Sequence, residues 1–226
     1  MIDATPRKTA DMVFANDETK SLIADILHGS YPFPVSGKSG LCLFGTFGTG
    51  KTTYARIFCD EFELMKGGAA LAAPPLFVAC DKSEAIDKVL KRCNRICDVL
   101  SFNRSGLHYF IFDEVDNLTD GAQRALKSFL NRTDIVCILT TNYLEKVDKG
   151  LLNRCVPLNF NAADPIEIRN RVQAMLLQNG FSPLANDVID EIVRRSDGGW
   201  RDIIPAAARL AQSNKQPPTP GLRLVT

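Results

Sequence analysis

The chain has 226 residues, of which 45% are hydrophobic and 23% charged, with a net charge of +1. That balance is ordinary for a globular protein and excludes a disordered or fibrous one. The near-zero charge confines any basic surface to a local patch, and no apolar stretch approaches the ~20 residues that span a bilayer.

Apolar runs at 41–44, 75–80, 108–112, 135–140 and 156–160 predict strands. They lack polar alternation, as strands buried on both faces of a parallel sheet do. The segments between them are long enough for crossover helices, so the expected architecture is α/β, a parallel sheet with helices on both faces. Cys42, Cys80 and Cys137 fall inside these runs and read as small hydrophobes. Seven cysteines without a CxxC pair, in a chain read as lacking a signal peptide, predict a reducing, cytoplasmic setting and no zinc.

The first run leads into Gly45-Thr46-Phe47-Gly48-Thr49-Gly50-Lys51-Thr52, with Thr53 behind it. This fits G-x-x-x-x-G-K-[ST], the phosphate loop. Glycines let such a loop curl with its N–H groups inward, and the following helix adds its positive end. Lys51 is placed to reach β- and γ-phosphates and the Thr52 hydroxyl to ligate Mg²⁺, so ATP and Mg²⁺ are the expected cofactors.

The third run ends in Asp113-Glu114. An acidic pair after a strand is often a solvated strand end. At the C-terminal end of a strand beside a phosphate loop, Asp113 is expected to hold Mg²⁺ and Glu114 to polarise an attacking water.

Between the second and third runs, Lys88, Lys91, Arg92 and Arg95 share one helical face, opposite Ile86, Val89, Leu90, Cys93, Ile96 and Cys97. The basic stripe is either a phosphate-contacting surface or a solvated face. Arg124, Lys127 and Arg132 are further candidates. Cys93 and Cys97 are better explained by the core face than by a shared metal.

After Asn161 the pattern is helical. Asp164-Pro165-Ile166-Glu167 carries an N-cap, a first-turn proline and an acid at the third position. Helices are expected over about 166–178, 184–196 and 200–212. The organisation read from this is a nucleotide-binding domain over 1–162, a small all-helical domain over 163–213 and a tail over 214–226.

With both motifs placed, the sequence resembles the AAA+ ATPases, and among them the clamp-loader group. The resemblance runs through DMVFANDETKSLI, DEVDNLTDGAQRALKSFL, ILTTNYLEKVDKGLLNRC and GGWRDII, about residues 11–212. It implies a five-stranded parallel sheet followed by a helical lid domain. It implies that Asn142 is the first sensor, Arg154 an arginine finger entering a neighbouring subunit's site, and Arg201 the second sensor. It also places Val13 and Phe14 at the start of the adenine pocket. The partners implied are other copies in a ring or open ring, and DNA or a DNA-replication protein, with no membrane role.

Asn153 stands where the group usually has serine, Gly199-Trp200 replace acidic and aliphatic residues, and Phe47 replaces a common proline. The group's third, collar domain is expected to be missing, because the chain is read as ending too early for it. The expected function is an oligomeric ATPase acting on DNA or a DNA-bound protein, clamp-loader-like or helicase-loader-like. The alternative is a nucleotide-dependent scaffold or a protein-remodelling ATPase without DNA contact.

Overall fold

A computed structural model describes residues 5–35, 37–81 and 85–213, so the tail expected over 214–226 lies outside the described residues. Pro6–Ala162 forms one compact unit, and the residues from Ala163 belong to a second.

The first unit begins with α1 (Asp17–His28), whose N-cap Asn16 accepts a bond from the Thr19 N–H and whose C-cap is Gly29. Then come β1 (Gly40–Phe44), α2 (Lys51–Gly67), β2 (Leu76–Ala79), α3 (Ile86–Cys97) and β3 (His108–Asp113). The unit continues with α4 (Asp120–Phe129), β4 (Ile135–Thr141), the short α5 (Lys149–Leu152) and β5 (Cys155–Asn159). The strands are parallel in the order β2-β3-β4-β1-β5.

Both faces of the sheet are covered, which is why its strands read as continuous apolar runs. Leu41, Leu43, Tyr109, Ile111, Val136, Ile138, Val156 and Leu158 face one core, against Ile23 and Ile26 of α1 and Tyr54, Phe58 and Phe62 of α2. The alternate residues, Cys42, Phe110, Phe112, Cys137, Leu139 and Cys155, face a second core with α3, α4 and α5.

The edge strands depart from the expectation of double burial. β2 lies at the sheet edge, paired with β3, and leaves Leu76 and Phe77 half-buried. β5 carries an exposed Pro157, tolerated because an edge strand does not need every backbone donor. Strand ends shift by a residue or so: β3 extends through Asp113 and β4 through Thr141.

All seven cysteines are free and buried. Burial pushes the Cys42 and Cys80 thiols up to about 12, so they stay protonated and act as packing groups.

In α3, Val89, Leu90, Cys93 and Cys97 are buried while Lys88, Lys91, Arg92 and Arg95 are exposed, as the periodicity predicts. Ile96 corrects the expected core face, being 37% exposed. At about 100° per residue it falls on the rim of the apolar stripe.

The second unit packs α6 (Pro165–Gln178), α7 (Asn186–Arg195) and α8 (Trp200–Ser213) around Ile168, Val172, Leu176, Ile189, Ile203 and Ala207. Asp164 caps α6 through the Ile166 N–H at 2.7 Å, with Pro165 at the first position. Arg169 donates to both Asp190 oxygens, at 3.0 and 2.8 Å, tying α6 to α7.

Candidate active site

The turn after β1 is possible only with glycine at its first position. A Cβ on Gly45, at φ +149°, would lie 2.3 Å from the Phe160 carbonyl carbon. Gly50, at φ +98°, caps α2, and a Cβ there would approach the Met12 methyl at 3.2 Å. Lys51, directly after Gly50 and 7% exposed, reaches back and donates its Nζ to the Gly45 and Thr46 carbonyls at 2.9 and 2.6 Å. Thr49 Oγ1 donates to the Thr46 carbonyl at 3.0 Å, and the Thr46 N–H bonds Asn161 Oδ1 at 3.2 Å. The loop is therefore folded around its lysine at the N-terminus of a 17-residue helix, the end that favours anions.

Thr52, on the first turn of α2, donates to Asp113 Oδ1 at 2.7 Å. Thr53 follows it, half-buried. The same Asp113 oxygen accepts from Thr140 Oγ1, also at 2.7 Å. The register that sets Phe112 beside Leu139 brings the next pair, Asp113 and Thr140, together. Glu114 follows with φ +58°, a left-handed conformation unusual without glycine. Its N–H donates to Thr140 Oγ1 at 2.9 Å, and its Oε2 accepts from Asn117 Nδ2 at 3.2 Å. A hydroxyl and a carboxylate converging beside a phosphate loop form the hard oxygen set that suits Mg²⁺.

Asn142 sits just past the end of β4, half-buried. Asp116 Oδ1 holds this corner, accepting from Thr141 Oγ1 at 2.7 Å and from the Asn142 N–H at 3.3 Å. Phe47, 59% exposed, meets the Tyr143 ring edge-on at 5.9 Å, and Lys146 Nζ lies 3.8 Å above that ring. The loop thus touches the residue next to Asn142.

Sequence reasoning missed Thr140, Thr141, Asp116 and Met12. The TTN at 140–142 and the second aspartate of DEVD were the available signals.

Arg154 lies at the other end of the sheet. Its carbonyl accepts from the Gly40 N–H, where β1 begins, while Lys51 follows the end of β1. Five strand residues separate those ends, roughly 13 Å at about 3.3 Å per step. Its Nε donates to Asn131 Oδ1 at 2.7 Å and its Nη1 to the Gly150 carbonyl at 2.8 Å. Gln123, buried on α4, braces the segment before it, accepting from the Asp148 N–H at 2.6 Å and donating to the Lys146 carbonyl at 3.0 Å. Arg154 is not brought to the phosphate loop of its own chain. Arg201 is exposed on the first turn of α8, in the second unit.

Phe14 is buried, edge-on to Tyr54 and Phe160 at 5.5 and 5.7 Å, so its ring packs in the core. Val13 beside it is half-buried. Arg132 is not a free basic contact, because it holds both oxygens of Asp134, at 2.9 and 2.7 Å. That hydrogen-bonded pairing lowers the Asp134 carboxyl and raises the guanidinium. Lys127 is shared with Asp148 at 4.0 Å, while Arg124 is exposed.

Cys97, His108 and Asp134 place a thiol, an imidazole and a carboxylate within 4.8 Å of one another. Arg132 already occupies both Asp134 oxygens, and burial pushes the Cys97 thiol up to about 11. This group reads as an ion-paired sheet end.

Residues 41–160 match the ATPase family associated with various cellular activities (AAA). Among curated proteins, the chain is 23% identical over 210 residues to replication factor C small subunit 1 of Pyrobaculum arsenaticum, covering 92% of this chain and 60% of that one. It is 23% identical over 225 residues to the replication factor C small subunit of Picrophilus torridus, covering 95% and 64%. The chain therefore spans about 60% of the length of these relatives. Among solved structures, the Thermotoga maritima RuvB Holliday junction branch migration motor superposes with a TM-score of 0.62 at 16% identity, covering 92% of this chain and 64% of that one. That likeness shows the fold, a five-stranded parallel sheet flanked by helices with a helical segment behind it. With just over half of its residues matched to the family and a phosphate loop set against Asp113, the chain belongs to the AAA family of P-loop ATPases.

Proposed function

We propose that this chain binds Mg-ATP at the loop Gly45–Thr52 and hydrolyses it, assembles with copies of itself, and uses the cycle on DNA or a DNA-bound protein in replication. This reading is carried by the hydrogen bond of Thr52, the residue after Lys51, to Asp113, with Glu114 next in the chain and both acids tied to Thr140. Mg²⁺, when bound, supplies charge neutralisation between the phosphates. Lys51 would anchor the terminal phosphates, Thr52 and Asp113 would hold the cation, Glu114 would polarise the water, and Asn142 would hydrogen-bond the γ-phosphate or the water. Pro6–Ala162 is read as the nucleotide-binding domain and the helices behind it as a lid carrying Arg201. Similarity to replication factor C small subunits supports the clamp-loader-like form of this role over the helicase-loader-like one.

Arg154 is assigned to a neighbouring subunit's site, because it lies at the sheet end away from its own loop. Arg154→Ala and Lys51→Ala proteins should each be inactive. Their mixture should recover part of the turnover, since some interfaces join an intact loop to an intact finger. Proven co-assembly without recovery would count against action in trans.

The exposed stripe of α3 is read as the DNA-facing surface. Changing Lys91 and Arg92 to alanine should weaken DNA binding equally across sequences. The log–log salt slope should fall by roughly one for each phosphate that is no longer neutralised. Basal ATP turnover should be unchanged. Equal affinity and slope in the double mutant would leave the stripe merely solvated. A protein client is the second reading, favoured by the loop after α3, where Leu100 and Phe102 are 91% and 90% exposed. Wild-type protein that binds no DNA with ATP present would make that reading the better one.

A further inference from the structure

Resting on the proposed ATPase site, we propose that Thr140 is a positioning residue that sets the aim of both acidic groups at once. Thr140 is 1% exposed, between Leu43 of β1 and the end of β3. A threonine hydroxyl has one proton and two lone pairs. An ionised carboxylate can only accept and a backbone N–H can only donate, so the polarity is settled. The Thr140 proton goes to Asp113 Oδ1 at 2.7 Å, and a lone pair receives the Glu114 N–H at 2.9 Å. One oxygen atom thereby joins the cation-holding residue to the water-polarising residue.

The two bonds do different things. Asp113 Oδ1 also accepts from Thr52. When the Thr52 hydroxyl turns to the cation, Thr140 remains on that carboxylate oxygen and keeps it oriented. Glu114 stands in a left-handed backbone conformation, at φ +58°, which costs free energy unless its surroundings enforce it. The bond from its N–H to Thr140 is the long-range contact that enforces it, while Asn117 restrains the carboxylate locally. Without the hydroxyl, a backbone donor loses its partner and the peptide carrying the carboxylate is free to turn.

The test compares Thr140→Val, which keeps the shape and removes the hydroxyl, with Thr140→Ser, which keeps the hydroxyl. Three readouts are used: Mn²⁺ affinity by electron paramagnetic resonance with nucleotide present, steady-state phosphate release, and exchange of the Glu114 amide. Thr140→Val should lower Mn²⁺ affinity and turnover by about 10- to 100-fold, the usual cost of removing an outer-shell partner. Its Glu114 amide should exchange faster. Nucleotide affinity with chelator present should be unchanged. Thr140→Ser should restore the first two readouts and the amide protection. If Thr140→Val fails to fold, Thr140→Ala against Thr140→Ser makes the same comparison. A Thr140→Val protein that matches wild type in Mn²⁺ affinity and turnover overturns the inference, as does a Thr140→Ser protein as impaired as Thr140→Val. Wild-type protein that neither holds Mn²⁺ with nucleotide nor releases phosphate overturns the proposed site as well, a result distinct from failure of the Thr140 variants alone.

Discussion

Lys51→Ala is expected to abolish ATP binding at micromolar concentrations. Lys51 supplies the side-chain cation of the loop, and its amine is held at the loop's centre by two backbone carbonyls. Truncating one partner of a buried charged pair costs about 2–5 kcal/mol, a loss of roughly 30-fold or more in affinity. The change should leave the fold standing. Gly45 and Gly50 set the turn, α2 buries Tyr54, Phe58 and Phe62, and none of these depends on the amine. Calorimetry with ATP measures the loss, and thermal unfolding confirms that the protein remains folded. Unchanged affinity would remove the loop from nucleotide binding.

Glu114→Gln should do the opposite, binding ATP as well as wild type while hardly turning it over. The amide keeps the side chain's shape, and the Glu114 N–H keeps its bond to Thr140. The glutamine carbonyl oxygen can still accept from Asn117. What disappears is the negative charge that draws a proton from water, worth roughly 10²–10⁴ in rate. Phosphate release measured beside ATP affinity separates the two effects. Turnover close to wild type would move the base to another residue.

These two residues were legible in the sequence because each lies in a local motif, a glycine-rich turn or an acidic pair ending an apolar run. The central strands were legible for a related reason: β1, β3 and β4 are buried on both faces, so nothing interrupts their apolar runs. The order of the strands was not legible, since a run of hydrophobic residues does not say which neighbour it will have. Thr140 stayed hidden for the same cause. It is 27 residues from Asp113, and only the register of β3 on β4 turns a β-branched strand residue into the link between two acids. The packing of the Phe14 ring was not legible either, because its place along a segment does not tell whether the ring turns into the core. Arg132 resembled a surface cation until its fork was found closed on Asp134 two residues away.

The proposed site of Lys51, Thr52, Asp113 and Glu114 would hydrolyse Mg-ATP with Arg154 supplied by another copy. The most direct test is phosphate release by wild-type protein as a function of its own concentration, with Mg²⁺ and then with chelator. Mg²⁺-dependent turnover is expected, at a rate per chain that rises with protein concentration as interfaces form. Absence of phosphate release at every concentration would contradict the site. Release at a rate per chain that does not vary from dilute monomer to assembled protein would contradict its completion by a neighbour.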